Sequence, residues 1–89
     1  MRVIILVLAF AVSVIACSDD AYRCVNPNGS VDDDWQATQK AMKSSGLSHG
    51  NTCWCYRYAE DYVQLNGEDQ IGKFQKACES QPNYSWREC

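Results

Sequence analysis

The apolar positions of this chain fall into two regimes. From Val3 to Ile15 they are almost continuous, interrupted by Ser13, and from Cys17 onward they are spaced among polar residues. The first regime, MRVIILVLAFAVSVIA, carries a basic residue at Arg2 and ends on Val14 and Ala16, which fit the small-residue pattern before a cleavage site. That layout predicts a secretory signal removed after Ala16. A spanning helix needs about 20 apolar residues, more than this run offers, so stable membrane insertion is not expected. The expected organisation is a signal peptide over residues 1–16 and a single cysteine-rich domain over 17–89.

In the second regime the spacing points to helices. Residues 17–31 read as irregular, because Asn26-Pro27-Asn28-Gly29-Ser30 is dense in turn formers. Ser30 is placed to cap a helix over 32–45, with Asp33 three positions on and Asp32, Asp33 and Asp34 at the positive end of the helix dipole. Trp35, Thr38, Ala41 and Met42 supply its inner side, Lys40 and Lys43 suit its C-terminal end, and Gly46 can stop it. After the loop 46–52, CWCYRYAEDYVQL places Cys55, Tyr58, Ala59, Tyr62 and Leu65 on one face at helical spacing. A helix over 53–65 is expected, with a short strand near 53–58 as the rival. Asn66-Gly67 interrupts the pattern, and Ile71, Phe74 and Cys78, with Ala77 alongside, predict a helix over 69–80. Pro82 then leaves QPNYSWREC as a tail. The expected fold is an all-α, disulfide-rich domain of about three short helices, with a small disulfide-rich α+β fold as the alternative.

The cysteines change what such a short chain can support. Cys17, Cys24, Cys53, Cys55, Cys78 and Cys89 all follow the apolar leader. An even set in an exported chain reads as a disulfide framework, and three bridges, each contributing about 2–4 kcal/mol, would reinforce a core that is thin at this size. The pairing stays open among fifteen arrangements. A bridge across the one residue between Cys53 and Cys55 would be strained, so each is expected to join a different flanking segment. Val14-Ile15-Ala16-Cys17 also resembles a bacterial lipobox, which would place a lipid on Cys17 and strand an odd thiol. Zinc is not expected, since Cys-x-Cys lacks the usual structural-site spacing.

Charge narrows the partners. Leaving out Arg2, seven basic residues face eleven acidic ones, a formal charge of −4. That disfavours nucleic acid and anionic membranes. It also weakens a membrane-damaging, antimicrobial reading, which normally uses cationic patches. His49 is the one histidine and belongs to a polar loop. Asp32-Asp33-Asp34 lacks the twelve-residue spread of a calcium loop. Pairs such as Glu60 with Glu68, or Asp61 with Asp69, specify no glycosidase geometry. A small hydrolase is therefore the weaker alternative; no cofactor or metal is expected, and the chain is not read as an enzyme.

The aromatic residues offer more. Trp54-Cys55-Tyr56-Arg57-Tyr58 gathers three rings beside a guanidinium, and such residues dominate binding hot spots. Trp54, Tyr56 and Arg57 form the candidate recognition surface, for a protein or a carbohydrate. Asn28-Gly29-Ser30 and Asn83-Tyr84-Ser85 are acceptor sequences for N-glycosylation at Asn28 and Asn83. Taken together, the residues predict a secreted, extracellular, disulfide-stabilised interaction protein of the effector, toxin or ligand type.

Overall fold

A computed structural model describes residues 14–89. The apolar run 1–13, and with it most of the expected signal segment, lies outside the described residues. The fold is mixed α+β, which corrects the all-α expectation. Its elements run β1 (Ala21–Val25), α1 (Val31–Ser44), β2 (Thr52–Cys55), β3 (Glu60–Gln64), α2 (Glu68–Glu79) and β4 (Ser85–Glu88), with a short 3-10 turn at His49–Asn51. The strands form one antiparallel sheet in the order β2-β3-β1-β4. This is the split β-α-β arrangement: β3 lies between β1 and β2, and β1 lies between β3 and β4.

Both helices pack on one face of the sheet. Tyr22 and Cys24 from β1, and Val63 from β3, meet Ala37, Ala41 and Met42 of α1 and Phe74 and Cys78 of α2. The opposite face holds a second, smaller cluster of Ala21, Cys53, Cys55 and Tyr62, bordered by Cys17, Tyr58 and Cys89. The helices form where the 3.6-residue period places apolar side chains on one side. Ser30 accepts a hydrogen bond from the Asp33 amide at 3.1 Å and starts α1, and Gly46, at φ 74°, follows its end.

The expected helix over 53–65 is a β-hairpin instead. Cys53 and Cys55 are two residues apart, so a strand puts both on one face while a helix would turn them nearly opposite ways. Both must reach bridging partners on the same side: Cys17 pairs with Cys53, and Cys55 with Cys89. The third bridge, Cys24–Cys78, ties β1 to α2 inside the main core. The middle of the chain is thereby pinned to both ends. Residues 17–31 and 81–89, read as irregular and as a tail, contribute β1 and β4. Their ladder, from Tyr22 opposite Glu88 to Val25 opposite Ser85, supplies the order that short segments lack alone.

One contact shapes the sheet. β1 and β3 pair at Ala21–Gln64 and Tyr22–Val63 and then separate. Continuing that register, Cys24 and Asp61 would exchange hydrogen bonds. Instead the Cys24 amide donates to Thr38 Oγ1 of α1 at 3.0 Å, and the Asp61 carbonyl accepts from Arg23 Nη1 at 2.7 Å. Arg23 is 1% exposed. Its Nη2 donates to the Val31 carbonyl at the start of α1, 2.6 Å away, and its guanidinium carbon lies 5.4 Å from the Trp35 ring centroid. Its Nε stands 3.2 Å from Glu60 Oε2, close enough for strong attraction though off line for a hydrogen bond. The side chain thus replaces a missing rung and joins β1, β3 and α1.

Truncating Arg23 to alanine would leave the Asp61 and Val31 carbonyls without their donor and take away one of the two guanidinium groups that face Glu60. We predict a loss of about 3–5 kcal/mol in the oxidised protein, read from denaturant midpoints at constant slope. A loss within 1 kcal/mol, on the order of an ordinary surface change, would remove Arg23 from this role.

The β1–α1 connection carries a pH-dependent element. Asp34 Oδ1 accepts from the Asn26 amide at 3.2 Å, and a side chain on Gly29 would come within 2.8 Å of that oxygen. Burial raises the Asp34 carboxyl above its ordinary 3.8, against the opposing pull of the Asn26 bond and of Arg23. The folded state therefore binds this proton more tightly than the unfolded chain. The associated stability is complete below the unfolded value and is lost as pH rises through the folded one. Asp34→Asn keeps the acceptor and removes the charge. Its stability relative to the parent protein should rise between about pH 3 and pH 7; a difference that stays flat with pH would show that Asp34 carries no such linkage.

Candidate functional site

The turn between β2 and β3 is the most exposed aromatic feature of the domain. It comprises Tyr56, Arg57, Tyr58 and Ala59, and the strands re-enter register at Cys55 opposite Glu60. Ala59 closes it at φ 52°, a left-handed conformation normally left to glycine, asparagine or aspartate. The hairpin holds this shape because its base is clamped. Cys55 is bridged to the C-terminal Cys89, and Cys53 to Cys17.

Rings and guanidinium groups stack along one side of the turn. Tyr58 lies parallel to Tyr62, with ring centroids 6.0 Å apart and planes 9° apart. Arg87, from β4, crosses the width of β1 to reach them, its guanidinium carbon 3.8 Å from the Tyr58 centroid and 5.6 Å from that of Tyr62. Its Nε donates to Tyr62 Oη at 2.5 Å and its Nη2 to Glu60 Oε2 at 2.7 Å. The same Glu60 oxygen faces Arg23. One carboxylate therefore serves two guanidinium groups, and the excess positive charge is spread over tyrosine faces.

The electrostatics follow from that crowding. Burial pushes the Tyr62 phenol above its ordinary 10.0, although the Arg87 hydrogen bond and charge pull it back. Tyr62 thus stays neutral at physiological pH and accepts from Arg87 without competing as a charge. For Arg87, burial works to weaken protonation. The Tyr62 bond and the fields of Tyr62, Glu60 and Tyr58 outweigh it, and its pKa is raised.

At the outer end the same chemistry is left open. Tyr56 is 70% exposed. Arg57 is exposed as well, with its guanidinium carbon 5.4 Å from the Tyr58 centroid, and it forms no ion pair among the described residues. The tip thus offers a large ring and an unneutralised cation on a braced turn. Such a pair suits an apolar contact next to an acidic or carbonyl group.

The structure separates the three residues expected to form one surface. Tyr56 and Arg57 share the turn, while Trp54 stands on β2, half-buried, with its backbone paired to Ile15 and Cys17. In the strand Trp54 sits opposite Asp61. Arg87, Tyr62, Glu60 and Arg23, which hold the turn from beneath, were missed. Their positions are scattered along the chain, and no local spacing links them.

The remaining expected features lie elsewhere. Asn28 and Asn83 are exposed in turns, Asn83 at φ 68°. Cys17 is bridged to Cys53, so its sulfur is not available for a lipid thioether. His49 is exposed on the 3-10 turn, at the rim of an open groove of about 640 Å³ beside α1 whose other ionisable liners are Lys40 and Lys43. No hydrogen bond joins His49 to Glu60 or Asp61 among the described residues. Nor, among those residues, does any group of His, Cys, Asp and Glu side chains converge as metal ligands. No protein-family model matches the chain, and neither a curated protein nor a solved structure is detectably similar to it.

Removing Arg87 tests how the turn is braced. Arg87→Ala should cost about 1–3 kcal/mol by leaving Glu60 and Tyr62 with lost partners, and should broaden or shift the Tyr58 ring resonances in NMR spectra. Unchanged Tyr58 resonances would show that the turn keeps its shape without the stack.

Proposed function

We propose that this chain is exported, loses its leader after Ala16, and works outside the cell as an interaction module that binds a partner protein through the β2–β3 turn. What is established is coarser: a small disulfide-stabilised α+β domain in which no described helix is long and apolar enough to cross a membrane. The observation that carries the proposal is the 70% exposure of Tyr56 at the tip of a turn clamped by a disulfide. An exposed tyrosine on a rigid support contributes contact area at low entropic cost, and Arg57 beside it adds a directional cation. The disulfides suit an oxidising compartment, where no reductant opens them. The reading concerns binding rather than catalysis and does not extend to a toxin or effector role.

A second reading draws on the same pair. An aromatic ring beside a cation also suits the headgroup region of a membrane, where one end of the pair meets apolar chains and the other meets phosphate. The net acidity of the domain opposes this mode of action on anionic lipid.

One double substitution separates these readings. Tyr56→Ala with Arg57→Ala should leave thermal unfolding within about 3 °C of the parent protein, because neither side chain belongs to a core cluster. Retention of extracellular proteins on the immobilised domain should fall at least tenfold, or about 1.4 kcal/mol per binding site. Equal retention by a folded double variant would move the interface elsewhere. Leakage from anionic vesicles that is lost in the same variant would favour the membrane reading.

A further inference from the structure

The segment leading into the domain is paired, not merely attached. Ile15–Cys17 runs parallel to β2 and is centred on Trp54, forming an isolated bridge between Ala16 and Trp54. The Trp54 amide donates to the Ile15 carbonyl at 2.7 Å, and the Cys17 amide donates to the Trp54 carbonyl at 2.9 Å. β2 is an outer strand, so these bonds occupy backbone groups on an otherwise open edge. Val14, Ile15, Thr52, Cys53, Trp54 and Asp61 border a slot of about 270 Å³ at this edge. Val14 and Ile15 keep 51% and 68% of their surface exposed, so the main chain holds the segment more than its side chains do.

We propose that removal of the leader after Ala16 turns this edge into a docking site for an extended segment of a partner polypeptide, aligned parallel to β2. The inference rests on the leader reading given above and concerns a surface separate from the β2–β3 turn. The cut falls between the two hydrogen bonds. Cys17 stays in place because its bridge to Cys53 anchors it, and its nitrogen, now an α-ammonium, still donates to the Trp54 carbonyl. The other bond leaves with Ile15, and the Trp54 amide loses its acceptor.

The vacated place has the shape of what filled it. It takes an extended backbone that presents a carbonyl to the Trp54 amide and, beside Asp61, a side chain that carries no negative charge where Ile15 stood. Strand addition of this kind takes its affinity from main-chain bonds and its selectivity from the side chains that alternate along the added strand. Asp61 is the one ionisable residue bordering the slot among those described, so an acidic side chain in the Ile15 position would meet like charge. Val14 and Ile15 lie at the edge in the uncleaved chain, so the sequence Ala11–Ile15 is a ready probe when supplied as a separate peptide.

The test uses the full reading frame expressed for secretion, purified oxidised, with its first residue determined by intact mass. The expected product begins at Cys17, and its Trp54 amide exchanges readily with deuterated water. The acetylated and amidated peptide Ala-Val-Ser-Val-Ile, which stops short of the Cys17 nitrogen, should slow that exchange about tenfold and shift the Trp54 amide resonance. The same peptide with Ile15→Asp should do neither. A product beginning at Cys17 that does not respond to the peptide overturns the docking site and leaves the leader reading intact. Trp54 protection that grows with protein concentration assigns the edge to a second copy and overturns the proposed partner. A secreted product that retains Val14–Ala16 overturns both, since the edge then never opens.

Discussion

The burial of Arg23 is the constraint on which the sheet depends. An arginine with 1% of its surface exposed is tolerable only if its charge and donors are met inside the protein. Two carbonyls from different elements, the Glu60 carboxylate and the face of Trp35 meet them. In return the side chain fills the opening where β1 and β3 diverge, and Thr38 Oγ1 accepts from the Cys24 amide. The two side chains satisfy the donor and the acceptor of one ladder hydrogen bond. They also couple the sheet to α1, at Val31 and at Thr38, which a regular ladder could not.

Around that joint the disulfides divide the work by face. Cys24–Cys78 lies in the apolar layer between sheet and helices, where hydrophobic contact already holds the elements together. Cys17–Cys53 and Cys55–Cys89 lie on the face where the cluster of buried residues is smaller. There the chain ends and the hairpin have little apolar surface with which to hold one another, and covalent closure takes the place of a core. Tyr62 is fully buried on that face because these bridges and the Arg87 guanidinium surround it.

This division leaves two features at the same end of the molecule with different character. The β2–β3 turn is braced from below by the Arg87–Tyr58–Tyr62 stack and by Cys55–Cys89, so its exposed ring and cation are held rather than floppy. The outer edge of β2 is defined by main-chain groups instead, and the segment preceding Cys17 satisfies them. Side-chain recognition at one and backbone recognition at the other follow from where each lies in the sheet.

Much of this was legible in the chain alone, and the exceptions have a common cause. Helices at Val31–Ser44 and Glu68–Glu79 lie within one residue of where period, caps and glycines put them, because those signals act over a few residues. The even set of cysteines likewise pointed to a framework of bridges. The hairpin was hidden because its turn, Tyr56–Ala59, contains no glycine, asparagine, aspartate or proline, and because its aromatic residues also fit helical spacing. β1 and β4 have too few residues to announce themselves and exist through their mutual ladder. Of the candidate site, the exposed pair Tyr56 and Arg57 could be named from composition. Its support, from Arg23, Glu60, Tyr62 and Arg87, could not, since residues up to 64 positions apart meet only when β1 places β3 and β4 on either side of itself. Local chemistry determined the helices and the need for bridges; long-range strand pairing, forced by where the bridges and a buried charge could be satisfied, decided the rest.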